Sequence, residues 1–588
     1  MVLLPLAEIV ARQFSGGIPG SGPIVRNLTL WVGFLGAALA AREDRLLSLA
    51  TGQLLPEGRL RDGAKIFSKT VAAAISAMLA RASWELVLIE RDGGSAIGAG
   101  IPTWIAQIVL PVGFALIAVR LVAGASEKWW GMGIALAGGA GGLWLGLNEL
   151  DLLDGRSPWL AVGIVLTATL LGGPIFVALG GSAIFLFLAD GVPSAAIPAE
   201  TYRLSVSQTL AAIPLFTLAG FALAEGNAAE RLVRLFRAFV GWIPGGTAAV
   251  TAILCAFFTV FTGGSGVTIL ALGGLLLPAL LKDGYGDRFS LGLLTASGSL
   301  GLLWPPALPL ILYAIVAEVP WKDMFIGGLV PGLVMLGLVV GWGVMTDMRT
   351  GVARSTFSGR EAAAAAWGAK WEILLPVVVL VGFFGGFATL IETAAIAAFY
   401  SLMVQLFVHH DIELVGGLRK VFQQAGVLIG GVLVIFGVAM GLTSYLVDAR
   451  VAAAALDWVE AHIDSPLVFL LCLNVLLLVV GCLMDIFSAI FVVVPLILPM
   501  GLAFGIDPIH LGIIFVANLE LGYLTPPVGL NLFIASYRFD RPLLEVYRAA
   551  LPMLAILAVG VLLITYIPFL TTGLLDMLGR GATLGAVP

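Results

Sequence analysis

The chain has 588 residues, of which 60% are hydrophobic and only 11% charged, with a mean hydropathy of +1.05. A soluble protein of this size cannot hide so much apolar surface, so the chain reads as an all-α polytopic membrane protein. A net charge of −5 without a basic stripe excludes a nucleic-acid partner. Cys255, Cys472 and Cys482 lie in apolar runs without ligand spacing, and His409, His410, His462 and His510 form no metal pattern, so metal-dependent catalysis is not expected.

In chain order, the first apolar stretch, "MVLLPLAEIV", is too short to cross a bilayer and lacks the basic start and cleavage site of a signal peptide. It reads as a half-inserted helix or as the mark of a start assigned late. Segments at roughly 1–12, 27–41, 64–89 and 101–123 make a four-segment unit over residues 1–125. The connection Arg42–Lys69 carries Arg42, Arg45, Arg59, Arg61, Lys65 and Lys69, which places it in the cytoplasm by the positive-inside rule. Residues 126–157 hold a connecting helix, Trp129–Leu147, and an acidic, turn-rich linker, Asn148–Pro158, that lands outside. From 158 to 588 the chain is a larger membrane unit with uncharged runs such as Trp159–Ala189, Leu204–Ala224, Met324–Thr346 and Val421–Val447. About fifteen to seventeen membrane segments are expected in all; Ala238–Leu281 is too long for a single span.

The larger unit repeats itself. A shift of 221 residues carries Pro278 onto Pro499, Gly284 onto Gly505 and Pro331 onto Pro552. It also carries Leu300, Gly301, Leu303, Pro305 and Pro306 onto Leu521, Gly522, Leu524, Pro526 and Pro527. The halves run over about 204–346 and 421–575, and each has a second interruption upstream, "FTGGSG" (Phe261–Gly266) and "VGCLMD" (Val480–Asp485). A helix broken at membrane depth frees backbone groups that lipid cannot satisfy, so it survives only where protein or a polar cavity meets them. Freed carbonyls suit a hard cation such as Na⁺, and freed helix N-termini suit a carboxylate. Matching breaks in two repeats point to the binding site of a secondary transporter; the alternative for either break alone is a proline kink repaired by neighbouring helices.

Among the charges, Asp485 lies between two uncharged runs, where a carboxylate is expensive and usually functional; the alternative is an acid paired with a buried base. Glu392, near a helix start, reads equally as a functional acid or a cap. Glu520, beside the second break, either lines a cavity or turns to a water-filled exit, and Arg538 reads as snorkelling to an interface. Ser265, Thr259, Thr262, Thr525 and Asn518 offer neutral oxygens at the breaks as ion or substrate ligands.

These stretches resemble a known family. "IPLFTLAG" (Ile213–Gly220), "GWIPGGTAAV" (Gly241–Val250), "GSLGLLWPPALPLILY" (Gly298–Tyr313), "GCLMDIFSAIFVVVPLILP" (Gly481–Pro499) and "GIDPIHLGIIFVANLELGYLTPPVGLNLF" (Gly505–Phe533) resemble the large (M, DctM-like) membrane subunit of tripartite ATP-independent periplasmic (TRAP) transporters. "LWVGFLGAALAARED" (Leu30–Asp44) resembles the small four-helix subunit (Q), so the chain is similar to a monomeric Q–M fusion. The resemblance implies a bacterial inner-membrane importer of carboxylates and related solutes. Such an importer is driven by a Na⁺ gradient without ATP and fed by a periplasmic substrate-binding protein. It also implies an elevator fold with two re-entrant hairpins in an inverted repeat. By motif, one sodium site takes Thr259, Thr262, Gly301, Trp304 and Pro306, and the other Gly481, Gly522, Thr525 and Val528. Asp485 falls on the family's acid at the second hairpin. The chain departs from the family at "TGGSG" (Thr262–Gly266) for SGS, at Trp304-Pro305-Pro306-Ala307 for IPPS, at Ile391-Glu392-Thr393 for TEA, at Glu520 and in its short first segment. A stand-alone ion-coupled carrier needing no binding protein is the second reading.

Overall fold

The structure is a computed structural model that describes residues 1–580 apart from 15, 50–57, 149–156, 206, 208, 351–356 and 527. The linker seen in the sequence at Asn148–Pro158, part of the basic connection after Arg42, and Pro527 of the second proline pair therefore lie wholly or partly outside the described residues.

The described residues are almost entirely helical. In order they form α1 (Leu3–Phe14), α2 (Ser21–Arg42), α3 (Arg59–Gly93), α4 (Thr103–Gln107), α5 (Val109–Ala123), α6 (Trp129–Leu147), α7 (Trp159–Leu170), α8 (Ile175–Ala189) and α9 (Ala196–Ser205). There follow α10 (Ala212–Glu225), α11 (Ala228–Val240), α12 (Gly246–Thr262), α13 (Ser265–Asp283), α14 (Asp287–Ser297), α15 (Leu308–Val316), α16 (Trp321–Thr350), α17 (Gly359–Gly368), α18 (Lys370–Phe384) and α19 (Leu390–Met403). The chain ends in α20 (Gly416–Asp448), α21 (Val451–His462), α22 (Pro466–Leu483), α23 (Ile486–Ala503), α24 (Pro508–Gly522), α25 (Leu530–Phe539), α26 (Leu543–Tyr566) and α27 (Phe569–Met577). Among the described residues eleven helical spans, one of them α4 and α5 together, are long and apolar enough to cross a membrane, two bent pairs (α10–α11 at 77° and α17–α18 at 64°) pass as pairs, and four further apolar helices are shorter. The fifteen to seventeen segments expected are thus reached only when the short helices are counted with the spans.

Several long runs are subdivided, and the breakers are local. Trp159–Ala189 is two helices, parted at Leu171–Pro174, where Gly172 takes φ 98°. Ala238–Leu281 is the end of α11 followed by α12 and α13, parted at Gly245 (φ 73°) and Gly263 (φ 67°). The basic connection is also shorter than the sequence suggests. Lys65 and Lys69 already belong to α3, and the mostly buried Lys69 ammonium donates to Asp44 at 2.5 Å.

The chain forms two compact units. One comprises Met1–Leu215, Phe422–Ala455 and Phe491–Pro495. Within it α3 packs along α5 and α6, and α2 along α5. Small residues let the backbones approach, as is common where no hydrophobic drive separates helix from lipid. A Cβ on Gly142 of α6 would strike the backbone of Ala74, and one on Gly430 of α20 the backbone of Gly36 and Ala37. Phe34 and Phe114 meet edge to face at 5.0 Å.

The other unit comprises Phe216–Val421, Leu456–Ile490 and Leu496–Pro588. It holds the breaks and most of both halves of the repeat, although Phe422–Ala455 and Phe491–Pro495 of the second half belong to the first unit, and the register read from the sequence recurs in the helices. α13 begins at Ser265 and α23 at Ile486, and α14 begins at Asp287 and α24 at Pro508, each pair 221 residues apart. α15 and α25, like α16 and α26, start 222 apart. The halves interlock: α13 packs on α25 and α14 on α26. One buried cluster draws Ile269 and Leu291 from the first half and Leu532, Ala535, Val546 and Ala549 from the second.

A charged knot fixes the two helix bends in this unit. Arg231 of α11 donates to Glu372 of α18 at 2.7 Å and pairs with Asp411 at 2.8 Å, while the Asn227 N–H donates to Asp411 at 3.0 Å. Burial pushes the Asp411 carboxyl up, but Arg231 and Asn227 outweigh it and hold it below the usual carboxylate range. Its contribution to stability is therefore complete above about pH 4 and is lost as the pH falls through that lowered value. Glu372 is 1% exposed, so Arg231→Ala strands a buried carboxylate and is expected to destabilise the protein by about 3–5 kcal/mol. Thermal unfolding of the purified variant in detergent checks this; an unchanged melting temperature would contradict it.

Candidate functional site

Each half of the repeat carries two interruptions, and each pair of interruptions meets. In the first half α12 stops at Thr262, Gly263 and Gly264 turn the chain, and α13 begins at Ser265 and packs back on α12. α14 stops at Ser297, and Gly298–Ala307 runs as irregular turns before α15. In the second half α22 and α23 are parted at Met484 and Asp485, and α24 and α25 at Tyr523–Gly529.

Glycine brings the breaks onto their neighbours. A Cβ on Gly301 would stand 2.7 Å from Thr259 Cβ and 2.8 Å from the Val260 nitrogen, so the first break lies directly on α12. At the equivalent place a Cβ on Gly522 would stand 2.5 Å from Gly481 Cα, so α24 ends against the end of α22. Beyond Gly522, the Thr525 N–H donates to the Gly522 carbonyl at 3.0 Å, and the Gly529 N–H to the Cys482 carbonyl at 3.2 Å. Val528, 1% exposed, is thereby held next to the end of α22.

The oxygens at the first break outnumber their hydrogens. Thr259 Oγ1 lies 2.8 Å from the Cys255 carbonyl, 2.7 Å from Thr268 Oγ1 and 2.8 Å from the Gly298 carbonyl. Thr262 Oγ1 lies 2.9 Å from the Phe258 carbonyl and 3.4 Å from Thr268 Oγ1. Each of the three threonine hydroxyls has one hydrogen to give, so Thr259 cannot donate to the Cys255 and Gly298 carbonyls at once. A surplus of neutral hard oxygens is a donor set that fits an alkali cation. Thr268 was not singled out from the sequence; its place one helical turn into α13 is legible only once α12 and α13 are known to pack together.

The other predicted residues divide. Trp304 and Pro306 stand in the first break; the Trp304 carbonyl accepts from the Ala307 N–H at 2.8 Å, and its ring packs against Gly332 of α16. Ser265, 3% exposed, opens α13, whose N-terminus has no side-chain cap. Asp485 is the N-cap of α23, accepting from the N–H groups of Phe487 and Ser488 at 3.0 Å each and from the Ser488 hydroxyl at 2.6 Å. It is thus tied to its own helix start rather than to a buried base. The Ile486 N–H donates to the Tyr523 hydroxyl at 2.7 Å, which joins this tip to the second break. Asn518 lies away from the break's turns: it donates to Asn474 of α22 at 2.6 Å, and Thr565 donates to the same oxygen at 3.1 Å. Glu392 forms a capping box with Thr389 at the start of α19, a helix that carries neither break. Glu520 is fully buried, with no hydrogen-bond partner for either carboxylate oxygen among the described residues, so it does not turn to solvent. Arg538 is exposed and lies over Gly273 and Gly274 of α13.

Many apolar spans around a duplicated pair of interrupted helices are the build of a polytopic membrane transport protein. Comparison with known proteins makes this specific. Residues 162–570 match the family described as "Tripartite ATP-independent periplasmic transporter, DctM component", and residues 1–129 the one described as "Tripartite ATP-independent periplasmic transporters, DctQ component". The C4-dicarboxylate TRAP transporter large permease protein DctM of Pseudomonas aeruginosa is 38% identical over 401 residues, 68% of this chain and 93% of that protein. The isethionate TRAP transporter permease protein DctMQ of Oleidesulfovibrio alaskensis is 33% identical over 495 residues, 80% of this chain and 74% of that protein. Among solved structures, the Alcanivorax borkumensis YdaH transporter matches at a TM-score of 0.47 and 18% identity, over 64% of this chain and 87% of that one. The chain belongs to the TRAP transporter family and carries both membrane components on one polypeptide. It is a permease of the bacterial inner membrane whose activity is secondary transport with a periplasmic binding protein, not catalysis.

Proposed function

We propose that the chain is a Na⁺-driven importer of small organic anions, with residues 1–125 as its Q-like unit, 126–157 as the connector and 158–588 as the M-like unit, working as a monomer. The observation that carries this is the pair of breaks in register, each seated on the end of a neighbouring helix through a glycine, Gly301 on α12 and Gly522 on Gly481. Thr259, Thr262, Gly301, Trp304 and Pro306 would supply one Na⁺ with hydroxyl and carbonyl oxygens, and Gly481, Gly522, Thr525 and Val528 the other. Na⁺ is cargo as well as ligand: its binding closes the breaks, and the loaded part of the repeat unit then moves as a body in an elevator step.

The two helix tips are unequal, and this bears on the solute. At α23 the Asp485 carboxylate already satisfies the first N–H groups. At α13 Gly264 provides no side-chain cap, so the N–H groups around Ser265 remain to receive an anion, helped by the helix dipole. Two of the relatives are named for C4-dicarboxylate and isethionate, both small anions, which supports a carboxylate or sulfonate headgroup at this tip.

Reconstitution in proteoliposomes, with and without the cognate binding protein, tests the reading. Uptake of the solute held by that protein is expected only when the protein and an inward Na⁺ gradient are both supplied. Full-rate uptake without the binding protein would establish the stand-alone carrier instead.

A further inference from the structure

Within the repeat unit a cavity of about 240 Å³ lies behind the first break. Its walls are Phe257 and Val260 of α12, Trp304 and Pro306 of the break, Leu336 of α16 and Leu380 of α18, and its lining is almost wholly apolar. It does not belong to the oxygen cluster around Thr259, which α12 presents elsewhere on its surface.

Two observations bear on what it could hold. Apolar side chains on the helices that bound the cavity face outward: Leu333 of α16 is 55% exposed, and Val377 and Leu380 of α18 are 47% and 40% exposed. On membrane spans such side chains meet hydrocarbon, so the medium at this edge of the cavity is the acyl region of the bilayer. Inside, the lining is almost wholly apolar, the indole N–H of Trp304 being the one polar side-chain group among the wall residues, whereas a held water needs two or more partners. Lipid tails are as apolar as leucine, so no hydrophobic drive favours entry. The gain is packing: a wall with no atoms opposite it forfeits its dispersion contacts, and a flexible chain of methylenes restores them.

We propose that this cavity is a binding site for one acyl chain of a membrane phospholipid, entering between α16 and α18 and packing against the back of Trp304 and Pro306. The seated chain also bears on the first break. Val260, which lines the cavity, gives its backbone nitrogen to the close approach of Gly301, 2.8 Å from the position of an added Cβ. A chain in the cavity therefore presses the break and α12 together from behind. Trp304, where the sequence departs from the resembling family, supplies the broad wall against which the chain lies. The site stands whether or not the break holds Na⁺.

The test uses the full chain in nanodiscs containing a trace of phosphatidylglycerol with a diazirine in its acyl chain. After illumination, label is mapped by mass spectrometry. The wild type is expected to carry label on 253–261 and 304–306 as well as on the outward Leu333 and Val377. Val379→Phe and Leu336→Phe fill the cavity from the walls opposite the break. In either variant the label on α12 and the break is expected to fall to background while the outward label stays. Monodisperse elution and an unchanged helical spectrum establish that the variants are folded. Label confined to outward positions in the wild type, or cavity label that survives in both folded variants, would overturn the proposal.

Discussion

Asp485→Asn is expected to reduce uptake by about a hundredfold or more while leaving the protein folded, on the scale of the loss when one preorganised hydrogen-bond donor is removed from a water-excluded catalytic site. Asp485 does two things that this substitution separates. Its side chain caps α23 through Phe487 and Ser488, and asparagine caps nearly as well as aspartate, so stability should hardly change. Asp485→Ala removes the cap too and should cost a further ~1 kcal/mol or so. What both variants lose is negative charge at the tip. The first half of the repeat makes its own tip with Gly264 and no charge, so the carboxylate is not needed to build the turn. For an acid kept between two apolar spans without that need, the proposed role is to balance a cation during transport. Uptake assayed beside thermal unfolding separates the two roles. Wild-type Na⁺-dependent uptake by Asp485→Asn would leave the residue as a helix cap alone.

Gly522→Val is the second large effect. The added Cβ would sit 2.5 Å from Gly481 Cα and 2.6 Å from its carbonyl carbon, and both are backbone atoms that cannot swing aside. The break must move off the end of α22, at a stability cost of about 1–3 kcal/mol. The second proposed ion site draws residues from both sides of that contact, so the Na⁺ concentration for half-maximal uptake should rise by about tenfold, equivalent to about 1.4 kcal/mol of binding. Gly337→Ala is the control. That glycine lies in α16 with nothing within 4 Å of an added Cβ, and the change should stay within about 0.5 kcal/mol of wild type. A Gly522→Val protein with unaltered Na⁺ dependence would detach the glycine contact from ion binding.

The breaks and their register were legible because a duplicated helix interruption leaves marks on the sequence: paired prolines, adjacent glycines and a constant offset of 221. The helix starts at Ser265 and Ile486 keep that offset. The composition of the units was not legible. The unit that contains Met1–Leu215 also takes in Phe422–Ala455, and the close seat of Gly430 on Gly36 and Ala37 joins glycines that look like any others in a chain with 74 of them. Polar side chains were legible as to type but not direction. Asn518, offered as a ligand, engages Asn474, and Glu392, read equally as a functional acid or a cap, makes a capping box, because a helix turns each residue by 100° and one position decides which neighbour it meets. Thr268 escaped notice for the converse reason: its hydroxyl matters through Thr259, a contact made by the fold of α12 on α13.

The central claim is that the two breaks are the sites through which Na⁺ drives uptake. Its most direct test is the Na⁺ dependence of initial uptake rate in proteoliposomes supplied with the binding protein, for the wild type and for Thr259→Val. The account predicts no uptake when choline replaces Na⁺. It predicts a sigmoid wild-type curve with a Hill coefficient rising toward about 2, the number of sites, and a curve for Thr259→Val shifted to higher Na⁺ with a coefficient nearer 1. Equal uptake in choline and Na⁺, or a Thr259→Val curve that overlays the wild type, would contradict it.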